Sequence, residues 1–293
     1  MPFSIALPRG DLLTLYATNT DERFEIEQGS FPDGTLHINL PDKHIYGVKW
    51  NYESDAELFT LICIAKHYND PTMELYLPYI PHARMDRVKA DTDVFTLKYF
   101  CEIINSLNFR RVWVMDAHSN VSLALLNNVR QMHIEDTIND TIYKVTCELA
   151  EHYDHNLRKE AEKTLIAFYP DEGSMKRYSD MLNMPYAFGI KKRDWETGKI
   201  LGLDIMHADL VKGKNVLIVD DICSRGGTFL HSAKALKEAG AERIFLYVTH
   251  AEKTMVEGEM YNNLDLVERI YTTDSIFNIE WDDRNKVTIV NEF

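Results

Sequence analysis

The sequence predicts an α/β fold made of two similar domains, each a mostly parallel sheet flanked by helices. Two observations carry this. Short β-rich apolar runs alternate with helix-like stretches from end to end. Continuous apolar strands separated by helices of that length indicate parallel sheets covered on both faces. The second observation is a faint internal repeat. INSLNFRRVWVMDAH (104–118) lines up with LKEAGAERIFLYVTH (236–250), each reading helix end, turn, Arg, apolar strand, His.

The elements follow in order. SDAELFTLICIAKHY reads as a helix, with Ser54 and Glu57 placed to form a capping box. ELYLPYI (74–80) predicts a strand, VFTLKYFCEIINSL (94–107) a helix and RVWVM (111–115) the next strand. TLIAF (164–168) and NVLIV (215–219) predict strands, TFLHSAKALKEAG (228–240) a helix and RIFLYV (243–248) a strand. Gly240 follows the last periodic residue and marks the helix stop. The acidic stretch EDTIND (135–140) is the expected junction, giving domains 1–140 and 141–293.

Composition narrows the function. With 293 residues, 45% of them hydrophobic, the chain can bury a sizeable core. Its net charge of -14 argues against nonspecific nucleic-acid binding, which depends on Lys and Arg neutralising phosphates. A phosphate ligand must therefore be held by a local basic pocket set against an unfavourable field. Cys63, Cys101, Cys147 and Cys223 stand far apart without a CxxC pair, which fits a reducing compartment, the cytoplasm, rather than disulfides or zinc. Neither a secretion signal nor a membrane span is expected. His152 and His155 lack zinc spacing and read as an exposed helix face.

The strongest chemical signal is NVLIVDDICSRGGTF (215–229). Asp220 and Asp221 stand at the carboxyl end of a buried strand, where open α/β sheets bind ligands. Ser224, Arg225, Gly226, Gly227 and Thr228 form a small polar loop that opens a helix. Backbone N–H groups of such a loop and helix start make an anion site, and glycine lets the backbone approach a phosphate. Paired acids suit the vicinal hydroxyls of a ribose. Walker A, GxGxxG and HExxH motifs are absent.

This segment resembles the 5-phosphoribosyl 1-diphosphate loop of the phosphoribosyltransferase fold. Further segments resemble one branch of it, the ribose-phosphate diphosphokinases (PRPP synthetases). PYIPHARMDR (78–87) is similar to that family's ATP-binding segment and FPDGTLHI (31–38) to its Phe-Ser-Asp-Gly-Glu loop. VMDAHS (114–119), YPDEGS (169–174) and IKKR (190–193) resemble its Asp-Leu-His, Ser-Pro-Asp-x-Gly-Gly and Asp-Lys-Arg-Arg segments, in the family's order. The resemblance implies two phosphoribosyltransferase-like domains and magnesium-dependent transfer of diphosphate from ATP to a ribose C1 hydroxyl. It implies ATP binding through Arg84, Met85, Asp86 and His118, with Phe31 stacking on adenine from a neighbouring subunit and Asp33 near its amino group. His118 and Asp171 would hold magnesium. Asp171, Asp220 and Asp221 would face the ribose, and Ser224 to Thr228 the 5-phosphate. Lys191 and Arg193 would be the catalytic cations, on a mobile loop, as the weak periodicity of GIKKRDWETGKI also suits. The family's assembly implies a homo-oligomer, a dimer or a hexamer.

The sequence departs from the family in places. Met85 replaces Gln and Thr35 replaces Glu, which alters adenine recognition. VKADTDV (88–94) replaces an Arg-rich stretch, which implies loss of an allosteric phosphate and nucleotide site, and NVSLALLNN (120–128) replaces a Gln-rich continuation. Ser174 stands where the family has a second glycine, and Ser224-Arg225 where it has Asp-Thr. The acceptor stays open between ribose 5-phosphate and ADP-ribose. A phosphoribosyltransferase and a non-catalytic regulatory homologue are the competing readings.

Overall fold

The computed structural model describes residues 13–17, 22–150, 155–193, 200–276 and 286–291. The chain divides into two compact units, Met1–Met132 and His133–Phe293. Among the described residues no helix is long and apolar enough to cross a membrane.

The first unit contains β1 (Leu13–Ala17), β2 (Arg23–Glu25), β3 (Glu27–Ser30), β4 (Leu36–Asn39), β5 (Ile45–Trp50), α1 (Ala56–Tyr68), β6 (Glu74–Leu77), α2 (Thr96–Ser106), β7 (Arg111–Met115), α3 (Asn120–Leu125) and β8 (Val129–Met132). Its sheet runs β2-β1-β5-β6-β7-β8. β5 to β8 are parallel, whereas β1 pairs antiparallel with both neighbours. β3 and β4 form a separate hairpin. In α2 the buried residues Leu97, Phe100, Cys101 and Ile104 recur at helical spacing and join Leu61 and Ile64 of α1 in the core over Val48, Leu75, Val112 and Val114.

Two expectations need correction here. The strand expected over 74–80 ends at Leu77, because Pro78 and Pro81 cannot donate to a ladder and turn the chain outward. The Ser54–Glu57 capping box forms in another way. The Ser54 hydroxyl donates to the Glu57 carboxylate at 3.0 Å instead of accepting from a helix N–H, and that carboxylate also accepts from the Glu53 N–H and Trp50 Nε1, both at 2.9 Å. Trp50 is fully buried, and its indole N–H draws Glu57 inward.

The second unit contains α4 (Glu135–Ala150), α5 (His155–Thr164), β9 (Leu165–Tyr169), α6 (Glu172–Tyr178), β10 (Tyr186–Arg193), β11 (Ile200–Met206), β12 (Asn215–Cys223), α7 (Gly227–Glu238), β13 (Ile244–Ala251), β14 (Arg269–Thr273) and β15 (Val287–Asn291). The sheet runs β11-β10-β9-β12-β13-β14-β15, parallel except for β10 with β11. The acidic stretch 135–140 forms the first turns of α4, where Glu135 and Asp136 suit the positive end of the helix dipole. His155 opens α5 and is exposed, while His152 lies outside the described residues.

Lys191, Lys192 and Arg193 were expected on a loop. Their backbone instead continues β10 and pairs with Leu203, Gly202 and Ile200 of β11. The alternating apolar run ILGLDIM supplies the partner strand that the charge run alone did not reveal. β10 pairs with β9 only over Tyr186–Phe188, so residues 189–193 extend as one arm of a two-stranded ribbon. The connection 194–199 and the side chains of Lys191 and Arg193 lie outside the described part.

The internal repeat has a geometric counterpart. Asn108 and Gly240 occupy matching places after α2 and α7, with φ of 56° and 91°. Gly240 N–H bonds Lys237 O at 3.0 Å and Ala241 N–H bonds Leu236 O at 2.9 Å, the paired bonds of a Schellman stop. Asn108 N–H reaches Asn105 O at 3.2 Å. The next strands are docked alike, by Arg110 N–H to Met73 O at 2.8 Å and Glu242 N–H to Lys214 O at 2.9 Å.

Removing the Glu57 carboxylate should expose how much the first unit depends on it. Glu57→Ala leaves buried donors unpaired and is expected to cost about 2–4 kcal/mol, read as a lower urea midpoint. Glu57→Gln, which keeps an acceptor oxygen, should lose less.

Candidate functional site

In the second unit the expected residues gather at the carboxyl ends of β9 and β12, the ligand edge of an open parallel sheet. Asp171 follows β9 and caps α6. Its Oδ1 accepts from the Gly173 N–H at 3.0 Å, the Ser174 N–H at 3.1 Å and the Ser174 hydroxyl at 3.1 Å. The serine that replaces a family glycine is buried and ties down this carboxylate. One and a half turns later, Arg177 donates from Nη1 to Asp221 Oδ2 at 3.0 Å. Asp221 is buried, whereas the neighbouring Asp220 is half-buried and accepts from the Asp221 N–H at 3.0 Å.

The loop after β12 is held by contact with the segment 252–260. Gly226 has φ of 75°, and a β carbon there would stand 2.3 Å from Met260 Cβ. A β carbon on Gly258 would stand 2.2 Å from Arg225 O. The Ser224 and Thr254 hydroxyls lie 3.2 Å apart, and Glu252 N–H bonds Cys223 O at 2.8 Å. α7 starts at Gly227 with Gly226 as its cap residue, which has no side chain to bond the first N–H groups. That leaves the positive end of a twelve-residue helix available to an anion. Thr228 is half-buried in the first turn. Arg225 is exposed and has no ion-pair partner among the described residues.

In the first unit the ATP-like segment 78–87 forms a loop off the carboxyl end of β6. Arg84 is exposed, Met85 and Asp86 are half-buried, and Arg87 lies 3.6 Å from Asp86. His82 has φ of 62° and lies 3.1 Å from Asp55 Oδ1. His118 follows β7 and is half-buried, after Asp116, which is buried with φ of 42°. Phe31 stands at the tip of the β3–β4 hairpin, 52% exposed, edge-on to His37. Asp33 closes that turn by accepting from the Thr35 hydroxyl at 2.7 Å and N–H at 3.0 Å, bonds that hold its carboxyl below the usual carboxylate range. Thr35, where the family has Glu, thus has a local partner. In the loop 88–94 the Asp93 carboxylate accepts from the Lys89 and Ala90 N–H groups at 2.9 and 3.0 Å, so an acid organises the stretch that carries arginines in the family.

Among the described residues no three His, Cys, Asp or Glu side chains converge as a metal cage. His118 belongs to the first unit and Asp171 to the second. Residue reading did not identify Arg177, Thr254, Gly258 or Met260. Arg177 lies in the same short segment as Asp171, whereas nothing local marks Gly258 as a partner of Arg225.

Gly226→Ala should weaken binding of a sugar phosphate about 10- to 100-fold, since a strained left-handed residue costs about 1–3 kcal/mol. Titration calorimetry with ribose 5-phosphate reads this, and Gly29→Ala, where a β carbon meets nothing within 4 Å, should leave it unchanged.

The phosphoribosyl transferase domain family matches residues 175–285. A ribose-phosphate pyrophosphokinase of Pyrococcus furiosus is 26% identical over 86% of this chain and 86% of its own length. One from Sulfurisphaera tokodaii is 25% identical over 91% and 88%. In fold, the chain is similar to the crystal structure of phosphoribosylpyrophosphate synthetase from Mycobacterium smegmatis, with a TM-score of 0.69, 17% identity, and coverage of 90% of this chain and 85% of that one. Along most of its length the chain is thus similar to ribose-phosphate pyrophosphokinases, with mostly parallel α/β sheets and a match to the phosphoribosyl transferase domain family within its second unit.

Proposed function

We propose that the chain transfers the terminal diphosphate of ATP to the C1 hydroxyl of a ribose 5-phosphate moiety and releases AMP. The C1 oxygen attacks the β-phosphorus in line, the bond from that phosphorus to the α–β bridging oxygen breaks, and the hydroxyl proton leaves to solvent. The observation that carries this reading is the uncapped start of α7 behind the Ser224–Thr228 loop, with acids at the end of the preceding strand. The helix start and loop N–H groups suit the 5-phosphate, and a carboxylate suits the ribose hydroxyls.

Arg84 and the segment through Asp86 would hold the ATP phosphates, with Phe31 and Asp33 recognising adenine from a neighbouring subunit. Lys191 and Arg193, on the β10 arm, would neutralise charge that develops on the transferring phosphoryl group. Magnesium fits the donor set. The carboxylates of Asp171 and Asp220 stand at the ligand edge, and such a cation takes one or two carboxylates and fills its shell with water and phosphate oxygens. Asp171 would hold it in the second unit, and His118 is the candidate ligand of the first. Bound there, magnesium would offset phosphate charge.

A second acceptor is supported by one observation. Arg225 is an exposed guanidinium without a described ion-pair partner, at the rim of the loop. Its planar fork suits the second phosphate of ADP-ribose, and Ser224 lacks the carboxylate that would repel it.

An assay with ATP, magnesium and either acceptor should give AMP and a ribose 1-diphosphate. Arg225→Thr should lower kcat/KM selectively with ADP-ribose. No turnover of ADP-ribose by the parent would end the second reading, and AMP formation with neither acceptor would end the first. Lys191→Ala or Arg193→Ala should reduce turnover by about 10²-fold or more while ATP still binds; near-normal turnover would remove the ribbon from the mechanism. Because Phe31 is offered outward at a hairpin tip, the active species is expected to be a dimer or larger, and light scattering that finds an active monomer would contradict this.

A further inference from the structure

The two adjacent acids at the end of β12 do not share one environment. β12 runs extended through Cys223, and successive residues of a strand point to opposite faces. Asp221 is 7% exposed and its Oδ2 takes the Arg177 guanidinium at 3.0 Å. Asp220 is half-buried, and its Oδ1 accepts the Asp221 N–H. The side chains of the pair are 24% and 10% exposed, enough enclosure to strengthen a charge-assisted bond over its surface equivalent.

From this we propose that Arg177 is a positioning residue that divides the acid pair. It pins Asp221 and offsets its charge, so that Asp220 is the carboxylate presented to the acceptor ribose. The need is electrostatic. The reading above brings a phosphate monoester to the loop that starts at Ser224, and negative charge on the acid pair just before that loop opposes it. Arg177 removes one of these charges without occupying the anion site itself.

The placement of Arg177 also has a mechanical side. Asp171 caps the start of α6 through three hydrogen bonds, and Arg177 leaves the last turn of the same helix for β12. α6 therefore holds the acid that follows β9 and the acid in β12 at a fixed spacing. A shift of α6 along its axis would move both. Lys at 177 would keep the charge but lose the planar fork, which separates the electrostatic duty from the geometric one.

The inference rests on the proposed acceptor chemistry, so the test separates the two. Arg177→Met, Arg177→Lys, Asp221→Asn and the Arg177→Met/Asp221→Asn double variant are compared with the parent. Ribose 5-phosphate and ATP binding are read by calorimetry, kcat and both KM values by AMP release, and folding by thermal unfolding. Arg177→Met is expected to raise the ribose 5-phosphate Kd and KM at least tenfold while the KM for ATP stays within twofold. Arg177→Lys should recover part of the loss. The double variant should bind ribose 5-phosphate better than Arg177→Met alone, because the uncompensated charge is gone. Equal losses for both substrates in step with the unfolding midpoint would reduce Arg177 to a structural residue and overturn the proposal. So would strictly additive effects in the double variant. A parent that binds no ribose 5-phosphate would overturn the acceptor reading and this inference with it, whereas a parent that binds it while Arg177→Met binds equally well overturns this inference alone.

Discussion

The loop that follows β12 depends on a contact that only glycine permits. Gly226 and Gly258 bring the turn after β12 against the segment 252–260 at distances that leave no room for a β carbon on either side. The left-handed turn at Gly226 leads directly into the first turn of α7, and the contact holds that turn in place. An anion site made of backbone groups has no side chain that can adjust, so its geometry must be imposed from behind. The second constraint is the parallel sheet, which brings the ends of β9 and β12 to one edge and so places Asp171 and the acid pair in reach of a common ligand.

Several departures from the family pattern come with local partners. Ser174 adds a hydroxyl bond to Asp171, and Thr35 closes the turn of Asp33. Asp93 gathers the loop 88–94 around itself. Each of these residues takes part in a local hydrogen-bond set.

What could be read from residues alone was what local physics decides. α2, α7, β7 and the Gly240 stop follow from periodicity and turn chemistry within a dozen residues, and the structure places them within a residue or two of expectation. The helix–turn–Arg–strand repeat was legible because the same local rule is written twice. Legibility failed where the deciding partner is remote. Arg177 and Asp221 lie far apart in the chain, as do Gly258 and Arg225, and no residue pattern links them. The run 190–193 was misjudged for the same reason, since a charged strand is recognised only through the neighbour that pairs with it. Conversely, Ser54 and Glu57 followed a local rule that a buried indole, Trp50, overrode.

The β10–β11 ribbon has a colloidal consequence. Beyond Phe188, β10 leaves β9 behind, so one of its edges runs on without a strand partner among the described residues. An open edge of that kind is a template on which another chain can add a strand, and nature blunts such edges with lysine and other charges. The run Lys191-Lys192-Arg193 lies along it. Cations proposed for phosphoryl chemistry would, at such an edge, also oppose the addition of a strand from another chain, so one run of residues would serve both solubility and catalysis.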